Sequence, residues 1–141
     1  MRRLVTGVED GRSCVIEVID WRPDESQPAL QDFIRFSAHP PPARPPASSA
    51  FLDLALAPGE IRWVTSHFPP NSDWPEMHYT DTIDCHTIVA GSIDLILDDG
   101  PHRLVAGDCV IVMGVDHAWK AGPEGCTSSV LLIGTPPPEG A

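Results

Sequence analysis

From residue 77 onward the chain is cut into short apolar runs by glycine, and that punctuation limits its fold more than any other feature. "MHYTDTIDCHTIVA" ends at Gly91, "IDLILDD" turns at Gly100, and "HRLVA" turns at Gly107-Asp108. "CVIVMG" then leads through "VDHAWKA" to a last run, "SSVLLIGT". Short runs with a turn signal every ~8–12 residues predict strands in a sandwich or barrel, an all-β chain. "SIDLILDDG" gives the detail: Ile93, Leu95 and Leu97 fall on one face, Asp94 and Asp98 on the other. That alternation predicts a half-buried strand, and the glycine after two aspartates predicts a tight hairpin turn. No window supports a long amphipathic helix; "PALQDFIRF" is the only weak candidate.

Upstream, "RLVTG" and "SCVIEVID" flank the turn signal "EDG" and predict a first hairpin. "DFIRFSAH" (32–39) reads as a further short strand. "HPPPARPPASSA" (39–50) cannot be regular structure, because its prolines lack donors and fix φ. Strands are then expected at "FLDLALA" and, after the turn "PGE", at "IRWVTSHF", with "PPNSDWPE" as a loop. The organisation expected is N-terminal strands plus a proline-rich loop over 1–51, a barrel over 52–135, and a flexible tail over 136–141.

The composition, 42% hydrophobic and 21% charged, suits a globular domain of 141 residues. Nine basic against twenty acidic residues give a formal net charge of −11, which argues against a nucleic-acid partner. The start, "MRRLVTGVEDGRS", lacks the apolar segment of a secretory signal, and no stretch is apolar enough to span a membrane. The expected location is the cytoplasm. The four cysteines (Cys14, Cys85, Cys109, Cys126) follow no CxxC or framework spacing and are expected as thiols.

The chemistry is concentrated in "MHYTDTIDCH", residues 77–86. Side chains alternate along a strand, so His78, Thr80, Thr82, Asp84 and His86 share one face. Tyr79, Asp81, Ile83, Cys85 and Thr87 share the other. If Ile83 and Cys85 pack outward, the even face lines an interior, and polar groups there are expensive unless something uses them. His117, after the apolar run "CVIVM" and a glycine turn, can swing back over the same mouth. His78, Asp84 and His117 together would supply two imidazoles and a carboxylate, a facial set suited to Fe(II), Mn or Zn. A metal-free version uses His78 and His117 as acid and base, oriented by Asp84. Trp63 and Trp119 are expected in core packing, with Trp119 also a candidate pocket residue beside Thr80 and Thr82. His39, His67 and His102 are expected at the surface.

The spacing His78, five residues, Asp84, six residues, Gly91, followed by Gly107-Asp108, eight residues, His117, resembles the two motifs of the cupin barrel superfamily. More narrowly, His78-x-Thr80-x-Thr82-x-Asp84 and Gly114-x-x-His117-Ala118-Trp119 resemble a subgroup of small bacterial and fungal cupins. The resemblance covers roughly residues 52–135. It implies a double-stranded β-helix (jelly-roll) barrel with extra N-terminal strands. It also implies a divalent metal (Zn, Fe, Mn or Ni) on His78, Asp84 and His117, and a homodimer. The sequence departs from the family at Thr80, where a second histidine is usual, and at Asp84, where a glutamate is usual. His86 is a candidate fourth ligand or proton carrier; His86, Asp84 and His117 are the candidate catalytic residues. The resemblance further implies an enzyme that dehydrates, cyclises, isomerises or decarboxylates a small polyketide-like metabolite. A non-haem Fe(II) dioxygenase and a non-enzymatic ligand-binding barrel are the alternatives.

Overall fold

A computed structural model describes residues 1–26 and 49–138. The expected strand 32–39, most of the proline-rich loop, the weak helix candidate, His39 and the end of the tail lie outside the described residues. Among the described residues there are nine strands, no helix, and therefore no helix long and apolar enough to cross a membrane. The expectation of an all-β chain holds.

The strands are β1 (Arg2–Glu9), β2 (Arg12–Asp20), β3 (Ala50–Phe51), β4 (Ile61–Phe68), β5 (Asp73–Tyr79), β6 (Thr82–Leu97), β7 (Gly100–Val105), β8 (Cys109–Val112) and β9 (His117–Gly134). They form one curled sheet in the order β2-β1-β8-β6-β9-β5-β3, with β4 added to β9 and β7 to β6. β1 and β2 form the expected hairpin, closed by Asp10 and Gly11, both at positive φ (51° and 74°). Two positive-φ residues match the right-handed twist of the strands they join, and Asp-Gly supplies them at little cost. β8 joins the far edge of this hairpin in parallel, Leu4 opposite Val110.

Two boundaries differ from expectation, for one reason. β6 runs unbroken through Gly91, and β9 runs unbroken through Gly125, so these glycines bend strands instead of ending them. Both have positive φ (76° and 77°), and the β6–β9 register slips at Gly91, which lies opposite Cys126. A Cβ built on Gly91 would lie 2.0 Å from the Gly125 carbonyl oxygen, so the two chains cross closer than any side chain permits. Elsewhere "FLDLALA" contributes only its first residue to a strand, β3, and "PPNSDWPE" yields the first half of β5. β5 stops at Tyr79 and β6 starts at Thr82, so the expected continuous strand 77–90 is bent at Thr80-Asp81.

The core fills the concave side. Ile93, Leu95 and Leu97 are almost wholly buried, as their alternation predicts, and pack with Leu4, Ile88, Leu104, Val110, Val112, Val115 and Trp119. Trp63 is a correction: it is 78% exposed, with its indole N–H donating to Ser129 Oγ at 2.7 Å, because β4 turns its odd positions outward. All four cysteines are free thiols.

Candidate functional site

The bend at Thr80-Asp81 allows a polar row to close on itself. It separates His78, at the end of β5, from Asp84 and His86, on β6, while β9 crosses both strands. His117, the first residue of β9, pairs directly with His78, and their ring centroids lie 4.3 Å apart. A cavity of about 320 Å³ has His78, Thr80, Asp84, His86, His117 and Trp119 in its wall. The residues singled out from the sequence are thus brought together around one space. Thr82 is buried just behind it.

The hydrogen bonds determine much of the protonation pattern. His117 Nδ1 lies 2.8 Å from the Val115 carbonyl oxygen, and His78 Nδ1 lies 3.1 Å from that of Glu76. A carbonyl oxygen only accepts, so in both rings Nδ1 carries the hydrogen and donates it. In the neutral ring Nε2 then holds a bare lone pair. Burial, reinforced by the neighbouring His78 and His86, lowers the pKa of His117 to about 3 against the opposing Val115 bond. Burial likewise lowers His86 to about 4. Both rings are neutral at pH 7.

Asp84 behaves in the opposite sense. Its side chain is buried, and burial raises its pKa to about 6, opposed by a hydrogen bond from Thr82 Oγ1 at 2.5 Å. Thr82 Oγ1 also lies 2.7 Å from Thr80 Oγ1. One hydroxyl has one hydrogen, so at any instant Thr82 donates either to the carboxylate or to Thr80. Cys85 faces away: burial, then Asp84 and Cys109, push its thiol up to about 11, which makes it a poor nucleophile.

A row of rings lines the rest of the wall. Trp119 packs against His86 at 4.9 Å with the rings tilted by 44° and meets His117 edge-on at 5.7 Å, while Phe68 lies 6.4 Å from Trp119 and 5.8 Å from Trp74. Phe68 and Trp74 are wall residues that the sequence did not single out, while His67 borders the cavity and is exposed, as expected. Trp74 lies opposite Trp119 on β9, a pairing that only the fold reveals. The proline after Trp74 disguised "SDWPE" as loop. Outside the cavity a broader groove of about 500 Å³ runs past Phe51, Leu52, Trp74, Met77 and His78. It shares Leu52, Trp74 and His78 with the cavity. His102 Nε2 lies within hydrogen-bond distance of Asp99 Oδ1, at 2.7 Å.

Two imidazoles with Nδ1 tied to carbonyls and Nε2 free are oriented as metal ligands are. Among the described residues, however, no three His, Cys, Asp or Glu side chains converge closely enough to hold an ion. One oxygen of Asp84 is already engaged by Thr82. In this arrangement the residues do not fit a centre with three protein ligands.

No family model matches the chain. Two curated fungal proteins are similar to a segment of it: phomopsin biosynthesis cluster proteins C′ and D of Diaporthe leptostromiformis. Each is 40% identical over 45 residues, which make up 31% of this chain and 24% of the relative. The match thus spans about a quarter of the length of those relatives. Among solved structures, a cupin protein from Bacteroides fragilis aligns with a TM-score of 0.45 at 19% identity, over 62% of this chain and 75% of that one. An HTH_3 family transcriptional regulator from Vibrio cholerae aligns with a TM-score of 0.47 at 13% identity, over 53% and 43%.

Proposed function

We propose that this chain is a small cupin-type enzyme of secondary metabolism that moves a proton on a small oxygenated metabolite, with Asp84 as the proton carrier. The observation that carries this reading is the position of Asp84: buried, in the wall of a cavity of about 320 Å³, with a pKa of about 6. A carrier works best when its pKa lies near the working pH, because both its forms are then accessible. The His86 and His117 imidazoles, held neutral well below that range, are poorer bases.

At neutral pH the Asp84 carboxylate accepts a proton from carbon next to a carbonyl and returns it to a departing hydroxyl or to another carbon. The first route expels water and the second isomerises, so no electron acceptor is needed. Thr82 holds one carboxylate oxygen, which directs the other at the substrate. His78 and His117 bind the substrate's polar end, while Phe68, Trp74 and Trp119 exclude water. The placement in secondary metabolism is supported by the two similar fungal proteins, both phomopsin biosynthesis cluster proteins, and by the motif resemblance around His78, Asp84 and His117.

The test is a producing strain carrying Asp84→Asn, which keeps the side chain's shape and its acceptor for Thr82. The expected result is loss of one end product and accumulation of an isomer or hydrate of it, at comparable levels of folded protein. An unchanged metabolite profile would refute the reading.

A further inference from the structure

Beside the cavity the surface forms an apolar trough. Phe51, Leu52 and Trp74 line the groove of about 500 Å³ and are 49%, 45% and 60% exposed. Large apolar side chains scattered singly are ordinary on a surface, but these three meet in one concave place. They are also held there. Phe51 pairs with Tyr79 on β5 and packs against its ring at 5.4 Å, and the Leu52 amide donates to the Tyr79 carbonyl at 2.8 Å. Trp74 meets Phe68 edge-on and lies opposite Trp119. The groove is continuous with the cavity, since Leu52, Trp74 and His78 belong to both walls. Its charge has one sign: Asp73 and Glu76 lie in its wall, and among the described residues no arginine or lysine does. Lys120, on β9, offsets Asp73 only in part, from 3.8 Å.

We propose that the substrate is longer than the cavity: its oxygenated, reacting end lies beside Asp84, and an apolar extension without negative charge lies in the groove across Trp74. This rests on the reading of the cavity as the reacting site and adds the other end of the same substrate. The cavity alone, about 320 Å³, is at the small end of the range for ligand sites, whereas cavity and groove together fall well inside it. A ligand confined to the cavity leaves Phe51, Leu52 and Trp74 in water; an extension covers them. Burial of apolar surface draws the extension in but has no preference among apolar groups, so selectivity comes from the rim. There Asp73 and Glu76 repel a carboxylate or phosphate and accept a neutral or cationic end. A free neutral or basic molecule is favoured, and one tethered through a phosphate is not.

The experiment is calorimetric titration of the full chain with 4-phenylbutan-2-one, and with the same ketone carrying a carboxylate or an aminomethyl group at the para position of its ring. At low ionic strength the cationic ketone is expected to bind at least about tenfold more tightly than the anionic one, with the neutral one between. That is the size of repulsion removed and attraction gained across about 5 Å of water, and added salt should compress it. Glu76→Gln should cut the preference to about threefold. Glu9→Gln, the same loss of charge on the hairpin at the other end of the sheet, should leave it unchanged. Trp74→Ala, and separately Phe51→Ala on the facing strand, should weaken all three ketones by about fivefold. Equal affinities of the anionic and cationic ketones, a preference that Glu9→Gln alters as much as Glu76→Gln does, or no binding of any ketone at millimolar concentration would overturn the inference. So would a dimer in solution that Trp74→Ala dissociates, because a second copy would then cover the groove. An unchanged Asp84→Asn metabolite profile beside the expected preferences would fault the chemistry and leave the extension standing; the reverse pair of results would fault the extension alone.

Discussion

His117 should make the fold sensitive to acid by a calculable amount. Its ordinary pKa is 6.5 and the folded chain holds it at about 3. Between those values the unfolded chain takes up a proton that the folded chain refuses, so stability is fully present above pH 6.5 and is lost as pH falls towards 3. At about 1.4 kcal/mol for each pH unit, acidification to about pH 4.5 costs about 3 kcal/mol through this one ring. Against a total stability of ~5–15 kcal/mol, that is a large share. His86, lowered to about 4, acts in the same direction, while Asp84, raised to about 6, acts in the opposite one. Comparison of the wild type with His117→Asn cancels both, because both variants contain them.

The substitution also preserves the bond to Val115. Loss of ring volume adds a destabilisation of ~1–3 kcal/mol that does not depend on pH. The assay is urea unfolding from about pH 7.5 to about pH 4.5. The wild type's advantage of ~1–3 kcal/mol should fall by about 3 kcal/mol over that range, closing or reversing. Parallel curves would mean that the ring is not held neutral, and the reasoning from its burial and its Val115 bond would fail.

Asp84→Asn removes a carboxylate that is expensive to ionise where it sits, so it should stabilise the fold at pH 7 by ~1–3 kcal/mol, a gain that disappears as pH falls from about 6 to about 4. Equal melting temperatures of the two proteins at neutral pH would contradict this. Gly91→Ala should be among the most damaging single changes, at more than about 3 kcal/mol, because it forces a Cβ into the Gly125 carbonyl at a φ of 76°. A thermal shift of only a degree or two would show that the strand crossing can open.

Much of the site was legible because its residues carry their own arguments. Ile93, Leu95 and Leu97 alternate with aspartates and are buried as alternation requires. His78, Asp84 and His86 share a parity, and His117 follows a glycine turn that returns it to His78. What the sequence could not supply was how far strands continue. A glycine reads locally as a stop, yet Gly91 and Gly125 are crossing points that exist only because each lies against the other. Trp63 and Trp74 failed for a related reason: an indole is apolar wherever it stands, and only strand pairing decides which way it faces.

The path of β9 has a consequence for how the protein acquires its cavity. β9 is the neighbour of β4, β5 and β6, and it carries His117 to a partner 39 positions earlier. Nothing in residues 61–97 can close the cavity until β9 exists, so on the ribosome His78, Asp84 and His86 emerge well before the strand that encloses them. Assembly dominated by such distant pairings is slow, of order milliseconds to seconds. In that interval the newly made β5 and β6 present open edges to any passing chain. The last long strand therefore acts as a clasp, and synthesis speed through residues 117–134 should govern yield more than changes in the earlier strands.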